Sequence, residues 1–218
     1  MASPINIFAL IVAYLLGSVA SAIWVGKIFF NKDVREYGSG NSGATNAFRV
    51  LGKKAGIVVL LMDSSKGWLS VNIAHVLFHF QFTHYIPGSA PFVDLQLALG
   101  VAALLGHIFP IYAGFRGGKG IATLLGMILA IHPNAALTSM IIFIVVLLTT
   151  RYVSLSSIIA SMSFPLIIIL IFQTTIPSLI MFSLLIAILV VITHQKNIER
   201  LIRKEESKAN LFGKKETP

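Results

Sequence analysis

The sequence predicts an all-α integral membrane protein with seven transmembrane helices, an external N-terminus and a cytoplasmic C-terminus. The first basis is composition: 56% of the 218 residues are hydrophobic and 11% are charged, whereas a soluble domain carries about 25% charged residues. The second is a series of apolar segments of about 20 residues, the length that crosses a bilayer as a helix. The third is that seven crossings place all 17 lysines and arginines at or near the inner side, as the positive-inside rule requires.

The first apolar segment covers about residues 5–30. It carries Ala13, Gly17 and Ser21 at intervals of four residues, a small-residue face that suits close helix contact. Residues 20–22 resemble a signal-peptide cleavage site, but no basic residue precedes the apolar run, which continues beyond the site. A signal peptide has a basic start and a short apolar core, so we expect an uncleaved first membrane helix.

Six further crossings follow the first one. They are predicted at about residues 55–82, 92–111, 120–131, 134–150, 155–172 and 177–194. The segment 120–131 rises only about 18 Å as a helix, less than the bilayer core of about 30 Å. Merging it with the next segment would place Arg151 and the basic tail outside, which the positive-inside rule disfavours. We also expect a bend at Pro165.

The whole chain, residues 1–218, is predicted to form a single membrane domain. Its cytoplasmic parts are loops at about residues 31–54 and 112–120 and a basic tail at about 194–218. Because these parts share one side of the membrane, we expect their polar residues to be gathered at one interface. The chain has no cysteine, which excludes disulfides and thiolate chemistry.

The first cytoplasmic loop contains a small, polar, glycine-rich stretch at residues 38–49, with the sequence GSGNSGATNAFR. Such backbone can approach an anion closely, and an arginine matches phosphate oxygens. The candidate phosphate-handling residues are Ser39, Gly40, Asn41, Thr45, Asn46 and Arg49. The stretch matches GxGxxG, but it lies between membrane helices and not in a βαβ unit, so a dinucleotide site is excluded. A plain connecting loop is the alternative.

The second candidate stretch is Gly117-Gly118-Lys119-Gly120, which opens a helix. Helix N-termini bind anions through their N–H groups and dipole, and Lys119 adds a point charge. The stretch is not a Walker A loop, because Ala113 stands where that motif needs glycine and Gly120 where it needs Ser or Thr. A positively charged anchor with a glycine turn remains the alternative.

Two polar sites lie within or at the start of apolar segments. Asp63 and Lys66 are spaced i,i+3 in the second helix and so share a face; we expect a structural ion pair, although Lys66 could reach toward the cytoplasmic side. Ser154 follows a helix end and is expected to cap the next helix. A hydroxyl contact from Ser154 to a ligand is the alternative.

The last apolar segment ends in a polar stretch that begins with His194. Asn197 follows at i,i+3, so the two side chains could face one site. Histidine titrates near neutral pH and is a candidate general base. The alternative is an amphipathic tail lying on acidic lipid.

Taken together, the three stretches resemble the PlsY family of membrane acyltransferases. The family patterns are SGNxGAxNxxR, GGKGxAT and HxxNIxRLxxGxExK, and the chain matches them at residues 39–49, 117–123 and 194–208. One position departs from the patterns, because Lys204 replaces a glycine and could alter the turn of the tail. The resemblance extends over nearly the whole chain.

The resemblance implies transfer of a fatty acyl group from acyl phosphate to the sn-1 hydroxyl of glycerol 3-phosphate, which yields lysophosphatidic acid and phosphate. It implies that Ser39 and Arg49 are needed for activity, that His194 and Asn197 line the site, and that Glu206 is structural. The second loop would bind glycerol 3-phosphate. The full set of expected substrate-binding residues is Gly40, Asn41, Thr45, Asn46, Gly117, Gly118, Lys119, Gly120 and Ser154.

The resemblance further implies a bacterial inner-membrane enzyme whose active site faces the cytoplasm, without metal or other cofactor. Its partners would be the two substrates and membrane lipid, with a soluble acyl-phosphate synthase as a candidate and no nucleic acid. No carboxylate clearly orients His194 in the sequence, so we expect it to position and polarise the hydroxyl, with a substrate phosphate as the alternative base. A small organic-phosphate transporter and a metal-dependent phosphotransferase are the competing function classes.

Overall fold

The computed structural model describes residues 3–209, and every regular element in that range is helical. The chain divides into two compact units, Met1–Pro133 and Asn134–Pro218. Residues 1–2 and residues 210–218 of the predicted tail lie outside the described range. The assignment of the chain to one membrane domain stays a prediction.

The first unit contains six α-helices and two short 3₁₀-helices in its described part. The α-helices are α1 (Pro4–Gly17), α2 (Ser21–Phe30), α3 (Ala44–Leu51), α4 (Lys53–His79), α5 (Ala90–Ile108) and α6 (Ile121–Ile131). The 3₁₀-helices are Val34–Glu36 and Ile111–Ala113. The first of the loops predicted to be cytoplasmic therefore holds α3, and the second connects α5 to α6.

The second unit contains four α-helices in the part that the structure describes. They are α7 (Pro133–Thr150), α8 (Val153–Leu166), α9 (Pro177–Thr193) and α10 (Gln195–Ile202), and α8 continues as a π-helical turn, Ile167–Ile171. Pro165 lies inside α8, and proline removes one hydrogen bond of the helical ladder. The π-helical turn begins two residues after this proline, and the predicted bend at Pro165 stays a prediction.

Four helical segments of the described chain are long and apolar enough to cross a membrane: α4, Ala90–Ala113, α7 and Val153–Ile171. The count rises to six if each of two bent pairs is one span, namely α1 with α2 (42°) and α9 with α10 (60°). The helix α6 is apolar but shorter. The all-helical membrane class is thus supported, whereas seven crossings and the orientation of the termini stay predictions.

The first apolar segment is a broken helix, not a continuous one. The predicted close helix contact of the small-residue face is present before the break. Gly17 packs so closely on the backbone of Ala103 in α5 that a Cβ atom would overlap with it. Inside a membrane a helix break must find partners for the freed peptide groups. The Lys66 ammonium donates to the Val19 carbonyl at 2.8 Å and so provides a hydrogen-bond donor for a peptide group at this break.

The first loop packs into a hydrophobic cluster. Val34 and Ala47 are fully buried and pack in one cluster with Ala22 of α2 and Val59 of α4. Burial of these side chains fixes the loop against two helices, since each buried aliphatic side chain contributes roughly 1.5–3 kcal/mol. The polar residues between Val34 and Ala47 are therefore presented from a fixed support.

Candidate active site

The buried Asn46 side chain holds the first loop together. Its Oδ1 accepts a hydrogen bond from the Ser39 N–H at 2.9 Å, and its Nδ2 donates to the carbonyls of Val34 (2.7 Å) and Tyr37 (3.1 Å). Asn46 is 2% exposed, so its amide satisfies backbone groups that would otherwise be unpaired. The structure thus gives Asn46 a supporting place in the loop, and its predicted contact with substrate stays a prediction.

Gly38 makes the tight approach of Asn46 possible. Its φ is +62°, and a Cβ atom there would overlap with the Asn46 side chain and lie 3.3 Å from Cδ of Arg49. A left-handed φ and a missing Cβ are both properties that glycine supplies. Ser39 and Arg49, the two residues expected to be needed for activity, are exposed next to this turn.

The other predicted residues of the first loop are arranged around the start of α3. Gly40 and Thr45 are exposed, and Asn41 is half-buried. The Asn41 Oδ1 accepts a hydrogen bond from the Gly43 N–H at 3.0 Å, which closes an Asx-type turn before α3. The loop is therefore an ordered structure with exposed polar groups, which the plain-loop alternative does not require.

Asp33 and Arg35 form an ion pair that connects the first loop to the second. The Asp33 carboxylate accepts hydrogen bonds from Arg35 Nε (3.0 Å) and Nη2 (2.8 Å), and Arg35 Nη1 donates to the Ala113 carbonyl at 3.0 Å. The side-chain hydrogen bonds from Arg35 hold the pKa of the Asp33 carboxyl well below its usual value, although burial opposes the shift. Arg35 therefore stays in a fixed position between the two loops.

A pocket of about 310 Å³ lies between the two loops. It is lined by Asp33, Arg35, Glu36, Gly40, Arg116 and Gly117. The structure therefore brings two predicted glycines together with two arginines in one cavity. Arg116 brings a cation suited to phosphate into this cavity, whereas Arg35 is paired with Asp33 and a second carboxylate, Glu36, also lines it.

The backbone of the second loop folds back on the end of α5. The Gly117 N–H donates to the Ile108 carbonyl and the Gly118 N–H donates to the His107 carbonyl, both at 3.1 Å. These two N–H groups therefore hold the loop against the end of α5. Gly120 has a φ of +82° and caps α6, so the N-terminal peptide groups of α6 lie directly after Lys119.

The charged pair of α4 is present at the predicted spacing. Lys66 Nζ lies 3.0 Å from Asp63 Oδ1, and the two side chains are 7% and 1% exposed. The Ser21 hydroxyl also donates to Asp63 Oδ1, at 2.8 Å. Asp63, Lys66 and Ser21 thus form a buried polar cluster, which is the arrangement that charges in a membrane segment require.

In the second unit, the Glu206 carboxylate accepts hydrogen bonds from polar residues of the third motif and from Ser154. Its Oε1 accepts hydrogen bonds from the Ser154 hydroxyl (2.8 Å) and Asn197 Nδ2 (2.6 Å), and its Oε2 accepts one from Arg200 Nε (2.7 Å). Burial alone would raise the pKa of the Glu206 carboxyl, but these hydrogen bonds outweigh burial and lower the pKa below its usual value. The carboxylate is therefore held in its charged form.

Ser154 does not cap the helix that follows it. The helix α8 begins at Val153 with Tyr152 as its N-cap and without a side-chain capping bond, so the capping prediction is wrong. The reason is tertiary: the Ser154 hydroxyl lies beside the Glu206 carboxylate and donates to it, and a charged acceptor is stronger than a peptide group. Its role toward substrate stays a prediction.

His194 lies at the bend between α9 and α10 and is 3% exposed. Its Nδ1 is 2.8 Å from the Val190 carbonyl oxygen. A carbonyl only accepts hydrogen bonds, so Nδ1 carries the proton in this contact and Nε2 is the lone-pair nitrogen of the neutral ring. The Val190 carbonyl is thus one group that orients the His194 ring.

Comparison with known proteins identifies the family. The family model described as glycerol-3-phosphate acyltransferase matches residues 7–204. The chain is 43% identical over 215 residues to the glycerol-3-phosphate acyltransferase of Enterococcus faecalis, with 95% of this chain and 93% of the relative covered. It is 45% identical over 203 residues to the enzyme of that name from Macrococcus caseolyticus, with 91% and 94% covered.

The chain belongs to the glycerol-3-phosphate acyltransferase family. Its structure is also similar to the crystal structure of PlsY, an integral membrane glycerol 3-phosphate acyltransferase, in the glycerol 3-phosphate form, with a TM-score of 0.81 and 35% identity over 95% of this chain and 99% of that one. The lysophosphatidic acid form of PlsY gives a TM-score of 0.75 and 36% identity over 93% and 94%.

Lys204, the position where this acyltransferase departs from the family pattern, keeps the turn that glycine would make. Its φ is +59°. The Glu205 N–H donates to the Arg200 carbonyl at 2.7 Å, and the Lys204 N–H donates to the Leu201 carbonyl at 3.1 Å. These are the two bonds of a Schellman motif, and the turn returns the chain so that Glu206 reaches Asn197.

Sequence reasoning missed two features of this acyltransferase site. One is Arg35, which joins the two loops of the first unit and lines their pocket; no motif marked it, although it lies only three residues before Gly38. The other is His107, which the motifs did not include and which packs against Gly118. The roles of both depend on tertiary contacts: Arg35 with the Ala113 carbonyl, and His107 with Asp63 and Gly118.

Replacing Glu206 by Gln should destabilise the protein in a pH-dependent manner. Because the native pKa of Glu206 is lowered, its charge contributes stability above the usual glutamate pKa of about 4.3, and this contribution is lost as the pH falls through the native value. We expect a loss of about 2 kcal/mol at neutral pH, measured by thermal unfolding in detergent. The difference from wild type should shrink below about pH 4; a difference of equal size at both pH values would contradict the assignment. Glu205→Gln, at an exposed neighbour, is the control.

Replacing Lys204 by Gly should stabilise the turn after α10. A side chain in the left-handed conformation costs roughly 1–2 kcal/mol, which glycine avoids. We therefore expect a higher midpoint of thermal unfolding for Lys204→Gly. Lys196→Gly, at an exposed lysine with helical backbone, should give no gain; equal behaviour of the two variants would show that the left-handed turn is not the cause.

Proposed function

We propose that this acyltransferase transfers a fatty acyl group from acyl phosphate to the sn-1 hydroxyl of glycerol 3-phosphate. The products are lysophosphatidic acid and inorganic phosphate. The observation that carries the proposal is the pocket between the two glycine-rich loops, with Arg35 and Arg116 in its lining. Both proposed substrates bear phosphate, and a guanidinium such as that of Arg116 suits phosphate oxygens.

The choice of donor and product rests on the three motifs and on the related structures. The motifs resemble those of the PlsY family, whose donor is acyl phosphate. PlsY has been crystallised in a glycerol 3-phosphate form and a lysophosphatidic acid form, which fits glycerol 3-phosphate as acceptor and its monoacyl derivative as product. Acyl phosphate is a mixed anhydride, so phosphate is already a good leaving group.

In the proposed reaction the glycerol hydroxyl oxygen bonds to the acyl carbonyl carbon, and the bond from that carbon to the phosphate oxygen breaks. The hydroxyl proton leaves with the phosphate. Arg49 favours the negative charge that develops on the departing phosphate, an electrostatic role that grows in the transition state. Ser39, exposed beside Arg49, donates to the same headgroup.

We assign His194 and Asn197 to the alignment of the acceptor hydroxyl. The Val190 carbonyl orients the His194 ring, and a neutral carbonyl stabilises an imidazolium less than a carboxylate would. In the proposed reaction His194 polarises the hydroxyl and a substrate phosphate takes the proton. Gly40, Asn41, Thr45, Asn46, Gly117, Gly118, Lys119, Gly120 and Ser154 complete the proposed substrate-binding set.

We further propose that the chain lies in a bacterial inner membrane with its basic loops on the cytoplasmic side. The proposal follows from the clustering of Lys and Arg in the connecting segments. On that side a soluble acyl-phosphate synthase could deliver the donor, while the acyl chain stays in the bilayer.

The donor is tested with purified protein in lipid nanodiscs, supplied with glycerol 3-phosphate and one acyl donor at a time. We expect lysophosphatidic acid from palmitoyl phosphate and none from palmitoyl-CoA or palmitoyl-carrier protein, with the acyl position read by NMR. Arg49→Ala should lower kcat/KM by about 100-fold, whereas Arg203→Ala, at an exposed arginine paired with Glu199, should leave it unchanged. Product from the thioesters alone would refute the proposed donor.

The role of His194 is tested by the pH dependence of the rate. If His194 polarises without taking the proton, His194→Gln lowers kcat but the pH–rate curves of variant and wild type keep the same shape. The measurement is kcat between about pH 5 and pH 9 with saturating palmitoyl phosphate. An acid limb that is present in wild type and absent from His194→Gln would instead make His194 the general base.

A further inference from the structure

We propose that His107 is a positioning residue: its ring, which lies beside the Asp63 carboxylate, sets the position of residues 117–120 in the second loop. The contact itself is a statement about this chain's structure. The consequence for glycerol 3-phosphate rests on the proposed function, in which this loop binds that substrate.

One edge of the His107 ring faces the buried polar cluster. Its Nδ1 lies 3.7 Å from Asp63 Oδ1, and the two side chains are 5% and 1% exposed. The same carboxylate oxygen is bound by the Ser21 hydroxyl and the Lys66 ammonium, and Lys66 also bonds to the Val19 carbonyl. The carboxylate is thus fixed by one group from α2 and one from α4, and its charge faces the Nδ1 side of the His107 ring.

The opposite edge of the ring supports the second loop. The three atoms nearest to a Cβ built on Gly118 all belong to the His107 ring, and Nε2 is the nearest, at overlapping distance. The Gly118 N–H donates to the His107 carbonyl at 3.1 Å. Gly118 is therefore held against both the backbone and the side chain of His107.

The position of Gly118 determines where the next residue, Lys119, begins. A displacement of about 1 Å at a substrate-positioning group can lower a rate by about 100-fold. The ring of His107 transmits the fixed position of Asp63, inside the helices, to the loop at their end. The buried ion pair of α4 thereby acquires a role in the geometry of the site.

The contact is tested by a double-mutant cycle that exploits the tight fit. Gly118→Ala places a methyl group on the His107 ring and should lower the midpoint of thermal unfolding by several degrees. His107→Ala removes the ring and makes room, so the double variant should be more stable than Gly118→Ala alone. Independent sites would instead add their losses.

Gly117→Ala is the matched control. A Cβ at Gly117 meets the backbone carbonyls of His107 and Ile108 and the Pro110 ring, not the His107 ring. His107→Ala therefore cannot relieve Gly117→Ala. Recovery in both pairs, or in neither, would overturn the proposed contact.

The consequence for the substrate is tested by steady-state kinetics on the same variants. We expect Gly118→Ala to raise the KM for glycerol 3-phosphate by about tenfold, with little change in the KM for palmitoyl phosphate, and the double variant to recover part of this loss. His107→Asn, which keeps a donor toward Asp63, should lose less than His107→Ala. Equal effects of Asn and Ala, or an unchanged KM in every variant, would overturn the positioning role.

The two proposals fail in different ways. If the wild-type protein forms no lysophosphatidic acid, the proposed function is wrong, and the unfolding midpoints still decide whether the ring positions the loop. If the wild type is active and the double variant is less stable than Gly118→Ala, the proposed function stands and the role of His107 is wrong.

Discussion

The buried Asp63 carboxylate is the constraint on which the first unit depends. A charge among apolar helices is unfavourable unless it is paired and hydrogen-bonded. Asp63 obtains Ser21, Lys66 and His107 as neighbours, and these come from α2, α4 and α5. The need to neutralise one carboxylate thus fixes the start of α2 and the end of α5 relative to α4. Lys66 adds a second donor, beside the Ser21 N–H, to the Val19 carbonyl at the break before α2.

The first and second loops are supported by these helices. The first is fixed by the burial of Val34 and Ala47 and by the three hydrogen bonds of Asn46. The second is joined to α5 through the carbonyls of His107 and Ile108. Rigid support suits a site that acts by electrostatics, because such a site must not reorganise when charge develops.

The second unit uses a carboxylate in the same way. Glu206 accepts hydrogen bonds from residues of α8 and α10, and so ties the tail to the helices that precede it. The left-handed turn at Lys204 makes this possible, because it reverses the chain after α10. In each unit a single acidic side chain therefore connects polar residues that belong to different helices.

The sequence by itself determined the membrane class, the approximate bounds of the apolar helices, the three motifs and the Asp63–Lys66 pair. Hydrophobic length and the i,i+3 spacing are local properties, which explains this success. The break before Ser21, the partner of Ser154, the supporting place of Asn46 and the contacts of Arg35 and His107 were decided only by the tertiary structure. Each of these is a hydrogen bond or close contact between residues that lie far apart in the chain or across a turn, and its geometry exists only after the helices have packed.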